Sequence, residues 1–513
     1  MATLSPSTRR RSLEYLASRA EPVDLLVVGG GITGVGVALD AATRGLSVAL
    51  VEKGDLAAGT SRWSSKLVHG GLRYLAKGDI RIARESAVER HHLMTAVAPH
   101  LIAPLRQILP DRGGRQAPVI RFGLRAGDML RRNAGTPASL LPPPSGLSLI
   151  ETLARCPTLS PTALRGGIST TDGQLIDDAR LVVAVARTAA GYGASICTHT
   201  RADRVDGRGA TLTDTCTGES FDIGARMVVN ATGVWSGEVD QAIAVTPSRG
   251  THLVLDAATM GNPTAALTIP LGGSVSRFVF TMPAQLGRVY VGITDVAAPG
   301  PIPDVPTPDS SEIDFLLDAL NPALVRPIDR TDIIGTFSGL RPLVDRRAGA
   351  GDGGPGTSTG LADVSRRHHI RVRGDGLVSV LGGKLTTYRR MAQDAVDAAL
   401  ATAGLAAGDC VTTTTPLVGA LRDPREQGLP TSLVQRFGGE APTVVDTSTV
   451  DRPLDLITPG IDVTRAEIEF AVTHEGALDV EDVLHRRTRI GLVDRDAEAA
   501  RPEVEKILGY VLG

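Results

Sequence analysis

Cysteine is scarce in this chain. The four present among 513 residues, Cys156, Cys197, Cys216 and Cys410, form no CxxC pair and no cluster with metal-ligand spacing. That excludes a zinc ribbon, a dithiol redox motif and a disulfide-stapled secreted scaffold; it predicts no metal centre and fits a reducing cytosol. Long apolar runs are missing too. The longest near-apolar stretch, 25 to 39, is broken by glycines and is too short to cross a bilayer as a helix. An excess of one charge sign is also lacking: the formal net charge is -2, so no whole-protein field recruits nucleic acid. The triplet Arg9, Arg10, Arg11 leads into "SLEYLASRAEP", charged where an export signal needs an apolar core, so no signal peptide is expected. Lysine is rare, at five of the 54 basic residues, and a lysine kept among so many arginines calls for a reason.

The rest of the composition, 42% hydrophobic with 58 glycines, is globular and long enough for two or three domains. "VDLLVVGGGITGVGVALDAATRGLSVALVEKG" is the most informative segment. An apolar run of strand length, 23 to 28, leads into Gly29, Gly31 and Gly34 in G-x-G-x-x-G spacing. The first permits a sharp turn, the second lets the backbone approach a pyrophosphate, and the third lets the next helix pack on the strand. That helix, 32 to 44, aims its electropositive start at the phosphates. A second strand, "SVALVE", ends at Glu52, placed to accept hydrogen bonds from an adenosine ribose. Strand, glycines, helix, strand and acid together specify a dinucleotide site.

Two later pieces favour FAD over NAD. "ARMVVNATGVWSG" runs a strand, 227 to 230, into a second backbone approach at Gly233. "LVSVLGGKLTTYRRMAQDAVDAAL" repeats strand, Gly382-Gly383 and helix. A helix start at Gly383, Leu385 and Thr386 stabilises negative charge on a flavin ring.

The alternation predicts an α/β fold: a Rossmann-like FAD-binding domain, an antiparallel-sheet substrate domain and a helical C-terminal domain. The FAD-binding part spans 20–404, with substrate-sheet segments interleaved at about 81–165 and 240–345, and the helical domain spans 405–513. "RRAGAGDGGPGTSTG", 346 to 360, reads as a mobile glycine-rich insertion. The C-terminal helices read as a solvated charged face without chemistry of their own. Residues 106 to 133 carry seven arginines against Asp111 and Asp128, interleaved with Val119, Ile120, Phe122, Leu124, Met129 and Leu130. Such a face can lie on an anionic membrane surface, although the stretch taken alone reads first as a solvated helix over the core.

Read in order, the fingerprint, "SSKLVHGGLRYL", "FSGLRPL" and "LGGKLTTYR" resemble the FAD-dependent glycerol-3-phosphate dehydrogenases, from about residue 24 to 492. The resemblance implies a flavoprotein oxidoreductase of glycerol metabolism. It would oxidise sn-glycerol 3-phosphate to dihydroxyacetone phosphate by hydride transfer to FAD and pass the electrons to a membrane quinone. It further implies a cytoplasmic protein, peripheral on the inner face of the plasma membrane, and is compatible with a homodimer. Thr60, Ser61, Ser64, Ser65, Lys66, His69, Gly70 and Gly71 would line the flavin. Arg73 and Tyr74 would face the substrate, and Arg341, Arg366 and Lys384 would form the phosphate pocket. Asp177 and Asp178 match a motif beside the substrate domain, without an assignable role. Arg62 and Trp63 depart from the pattern, in which small residues are common in the serine cluster.

The chemistry agrees. A dianionic phosphate needs several fixed cations, and arginine binds it in two-pronged fashion. Lys384, between Gly383 and Leu385, marks a place where a compact charge is needed. Gly70-Gly71 lets the backbone approach the ring while Arg73 and Tyr74 project past it. Removing the C2 hydroxyl proton requires a base within hydrogen-bond reach. His252 and His69 qualify by pKa, and we favour His252; a packed structural histidine is the competing reading. Arg341 is a poor proton acceptor but suits a developing alkoxide. An oxidase using molecular oxygen and a non-catalytic nucleotide-binding regulatory module are the rival functions.

Overall fold

The computed structural model describes residues 3–71, 74–75, 78–113, 117–272, 277–344 and 367–513. Arg73, Arg366 and the glycine-rich stretch 346–360 lie outside the described residues. The first sheet centres on Val23–Val28, which pairs in parallel with Ser220–Asn230 on one side and Val48–Val51 on the other. Val378–Leu381 and Ser195–Cys197 extend it in parallel at the two flanks, and His369–Val372 closes one edge antiparallel.

Both faces of this sheet are covered, as its unbroken apolar strands require. Leu25 and Val27 point into a cluster formed with helices Ile32–Thr43, Asp178–Gly191 and Tyr388–Ala403. Leu26 and Val28 point the other way. There they meet Leu13 and Leu16 of helix Pro6–Ser18 and Ala210 and Leu212 of an antiparallel meander. Each such fully buried aliphatic side chain contributes about 1.5–3 kcal/mol.

The second sheet carries strands Ile102–Asp111, Gly166–Leu175, Val245–Asp256, Ala266–Pro270, Phe278–Ala284, Arg288–Gly292 and Ile333–Val344. Its pairings are antiparallel except where Ala266–Pro270 runs parallel to Ile102–Asp111. It extends beyond the intervals 81–165 and 240–345, taking in Gly166–Leu175 and the short strand Leu67–Val68. The Gly/Thr/Ser composition of "GGISTTDGQL" hides strand alternation, and a two-residue strand has no period to detect. The basic stretch 106–133 is likewise two elements. Arg106 belongs to strand Ile102–Asp111, and the amphipathic part is helix Ala117–Asn133.

Beyond residue 410 the chain folds as helices around two small cores, with a hairpin of Leu456–Thr458 and Ile461–Thr464. Its charges are not simply a solvated face. Arg486 and Arg487 reach Asp55 at 2.6 Å, Arg489 reaches Asp177 at 3.1 Å, and Arg180 reaches Glu475 at 2.8 Å. Buried ion pairs therefore join the C-terminal helices to the nucleotide-binding part, an arrangement that a one-dimensional charge pattern cannot distinguish from surface charge. Among the described residues no helix is long and apolar enough to cross a membrane.

Candidate active site

One cavity of about 2010 Å³ runs from the glycine turn to the second sheet and is lined by residues from all three parts of the chain. At its nucleotide end stand Gly29, Gly31, Glu52, Thr60 and Ser61. The close packing that shapes this end is visible at Gly34: a Cβ there would lie 1.8 Å from the Gly29 carbonyl oxygen. Gly34 itself lies behind the wall, where it lets helix Ile32–Thr43 approach the turn. Glu52 accepts from Gly30 N at 2.7 Å and from Gly54 N at 2.9 Å, while burial pushes its carboxyl up from the ordinary value. Ser61 Oγ accepts from Ile32 N at 2.9 Å, the first amide of the helix, and Thr60 donates to Leu340 O at 2.7 Å. A glycine turn, a helix start and a buried acid fit the pyrophosphate and ribose of a dinucleotide.

Further along, the wall carries Ser64, Ser65, His69, Tyr74, Gly233, Arg341, Gly383, Lys384, Leu385 and Thr386. Arg341 comes from strand Ile333–Val344, opposite Ser248 in register. Gly250 of the neighbouring strand makes room for it, since a Cβ there would sit 2.1 Å from Arg341 Nη2. The guanidinium is anchored by Asp295 Oδ1 at 3.1 Å and donates to the Thr294 carbonyl at 3.1 Å. Lys384 precedes the turn Leu385–Thr387 that opens helix Tyr388–Ala403. Its Nζ lies 4.2 Å from the centroid of the Tyr74 ring and donates to Ser86 Oγ. Gly250, Asp295, Thr294 and Ser86 carry no motif signal, because their roles exist only across strands or between distant segments.

Three expectations change. Lys66 does not project into the cavity. Its Nζ is buried, 2.8 Å from Asp178 Oδ2, and donates to the carbonyls of Arg62 and Ser64. Burial pushes this ammonium down, with Asp178 opposing and Arg489 adding to the push. This also assigns Asp178, which accepts from Ser64 N at 2.9 Å and so fixes the serine loop from behind. Asp177 caps helix Asp178–Gly191 and pairs with Arg489.

Gly70 and Gly71 are not part of the lining either. Gly70 N donates to Asp172, and the space a Cβ would need is filled by the Arg90 guanidinium; Gly71, at φ +82°, packs on Ala83. The glycine step serves close packing on helix Ile80–His92 rather than access to a ring.

His252 stands one layer behind the wall. It is fully buried, stacked on Phe337 at 4.5 Å, and its Nε2 is 3.0 Å from Ser65 Oγ. Nδ1 has no hydrogen-bond partner among the described residues. Burial holds the imidazole well below its ordinary pKa, and the nearby Lys66 and Arg341 charges lower it further. His252 is thus a neutral ring that reaches the cavity through Ser65.

Comparison with known proteins agrees with this architecture. The family described as FAD dependent oxidoreductase matches residues 24–389, and the C-terminal domain of alpha-glycerophosphate oxidase matches 410–513. Glycerol-3-phosphate dehydrogenase 1 of Mycobacterium tuberculosis is 54% identical over 97% of this chain and 96% of its own. The mitochondrial glycerol-3-phosphate dehydrogenase of Macaca fascicularis is 33% identical over 99% of this chain and 73% of its own. Among solved structures, the glycerol-3-phosphate dehydrogenase from Bacillus halodurans complexed with FAD superposes with a TM-score of 0.72. It is 25% identical and covers 99% of this chain and 95% of that one. Turn, acid, helix start and paired cations in one cavity, together with these relatives, establish that the chain belongs to the FAD-dependent glycerol-3-phosphate dehydrogenase family of oxidoreductases.

Proposed function

We propose that this protein oxidises sn-glycerol 3-phosphate to dihydroxyacetone phosphate in glycerol catabolism and delivers the electrons to a membrane quinone. The observation that carries the reading is the placement of Arg341 and Lys384 on the wall of the same cavity that holds the dinucleotide turn. FAD, when bound, supplies the hydride acceptor. The residues of this chain do the rest. Arg341 and Lys384 hold the phosphate, with Tyr74 beside the Lys384 ammonium. The C2 hydroxyl then lies within reach of Ser65, whose Oγ passes the proton to neutral His252 Nε2 at 3.0 Å. As His252 takes up the proton, the Arg341 charge stabilises the oxygen left behind. Arg73 and Arg366 remain candidates for the same pocket on the family resemblance.

Helix Ala117–Asn133 supports the quinone and membrane part. Ile120, Phe122 and Leu124 lie along the cavity, while the Phe122 and Met129 side chains remain 75% and 63% exposed. Its charge is partly neutralised, since Arg131 and Arg132 pair with Asp128 and Arg121 with Asp111. The remaining face suits an interfacial helix beside an entry for an apolar acceptor.

Anaerobic addition of glycerol 3-phosphate to purified protein tests the reading: the flavin absorbance should bleach, and a short-chain quinone should restore it. No bleaching would mean a non-catalytic module. Restoration by oxygen with peroxide release, at a rate matching the quinone, would mean an oxidase.

A further inference from the structure

Arg62 is a buried cation without an ion-pair partner among the described residues. Its residue is 4% exposed, its side chain lines the cavity, and it makes no ion pair or side-chain hydrogen bond among the described residues. Trp63 covers it, with the guanidinium carbon 4.3 Å from the indole centroid. Burial, and then the like charges of Arg489 and Arg486, push it down to about 9, with the Asp55 and Asp178 carboxylates opposing. The carboxylates that act on it are paired with other cations: Asp55 with Arg486 and Arg487 at 2.6 Å, and Asp178 with Lys66 at 2.8 Å. A buried charge without a direct ion-pair partner is unfavourable, so an anionic ligand entering the cavity gains by supplying the counter-charge.

The position of Arg62 in the chain identifies that ligand. Arg62 closes the turn Thr60–Arg62, and the residue before it, Ser61, accepts from Ile32 N at 2.9 Å. The guanidinium therefore projects from a segment tied to the helix start that faces the dinucleotide phosphates. A pyrophosphate carries two negative charges, whereas that helix start offers only amide dipoles. We propose that Arg62 binds the pyrophosphate of FAD and neutralises it, which makes the bound cofactor the missing half of a buried ion pair. The proposal rests on the assignment of FAD to this cavity.

The test uses full-length protein stripped of flavin and titrated with FAD, ADP and riboflavin. Arg62→Met should weaken FAD and ADP about 10- to 100-fold, leave riboflavin unchanged, and be partly restored by Arg62→Lys. The thermal midpoint of the flavin-free variant should equal or exceed that of the flavin-free parent, because an unpaired buried charge has been removed.

An FAD affinity within threefold of the parent would overturn the proposal. So would a loss confined to FAD and absent for ADP, which would place Arg62 at the flavin end. A raised KM for glycerol 3-phosphate at unchanged FAD affinity would assign it to the substrate phosphate instead. A flavin-free variant that melts earlier or does not fold would make Arg62 a structural residue. Failure of the parent itself to bind FAD would break the cofactor assignment rather than the role of Arg62.

Discussion

Lys66 Nζ lies 2.8 Å from Asp178 Oδ2 with both side chains almost completely buried, and this pair holds the serine loop against helix Asp178–Gly191. Removing one partner leaves the other as an unpaired charge in the interior. Lys66→Met and Asp178→Asn should each cost about 3–5 kcal/mol in denaturant unfolding. The double variant Lys66→Met/Asp178→Asn should cost less than the sum of the two single changes. Additive losses would show that the two groups act independently.

Arg341 and Lys384 are read as substrate cations rather than flavin ligands. Arg341→Ala and Lys384→Ala should retain the yellow colour and raise KM for glycerol 3-phosphate about 10- to 100-fold. Loss of flavin with a normal KM would contradict that assignment.

The neutral state of His252 sets the pH behaviour. Its folded pKa is depressed well below 6.5 by burial and then by Lys66 and Arg341, so the acid limb of kcat, which is free of the substrate phosphate's own titration near about 6, should lie well below that value. A limb at 6.5 would mean a different base. Stability follows the same sign. Below 6.5 the unfolded chain binds a proton that the folded protein refuses, so stability falls as pH drops from 6.5 toward the folded pKa. His252→Gln should flatten that slope in acid denaturation.

Ser65→Ala separates a relay from a packing role. With the hydroxyl gone, kcat should fall about 10²- to 10⁴-fold while FAD affinity and thermal midpoint stay near the parent values. An unchanged kcat would remove both Ser65 and His252 from the proton path.

Gly34→Ala tests the helix-to-turn contact. A Cβ there meets the Gly29 carbonyl oxygen at 1.8 Å, so helix and turn must separate. The variant should purify without flavin and melt earlier, as absorbance and calorimetry would show; a fully loaded protein would mean that the turn is more tolerant than its geometry indicates.

The nucleotide end of the site was legible in the linear order of residues because its parts are local. Strand, glycine turn, helix and acid lie within about thirty residues, and backbone sterics with hydrophobic period specify them without distant help. The place of Arg341 and Lys384 on the cavity wall was legible too, since each sits in a motif of the family and Lys384 is one of few lysines. The second layer was not. That Lys66 turns inward to Asp178, that Gly70 packs on Arg90, that His252 reaches the cavity through Ser65, and that C-terminal arginines close on Asp55 are pairings between segments about 20 to more than 400 residues apart. Such pairings depend on which side chains desolvate together, and burial is a property of the packed chain rather than of any segment. Composition and spacing determined which groups this protein has for binding a dinucleotide and an anion; only the tertiary structure decided which of them face the cavity and which hold its walls in place.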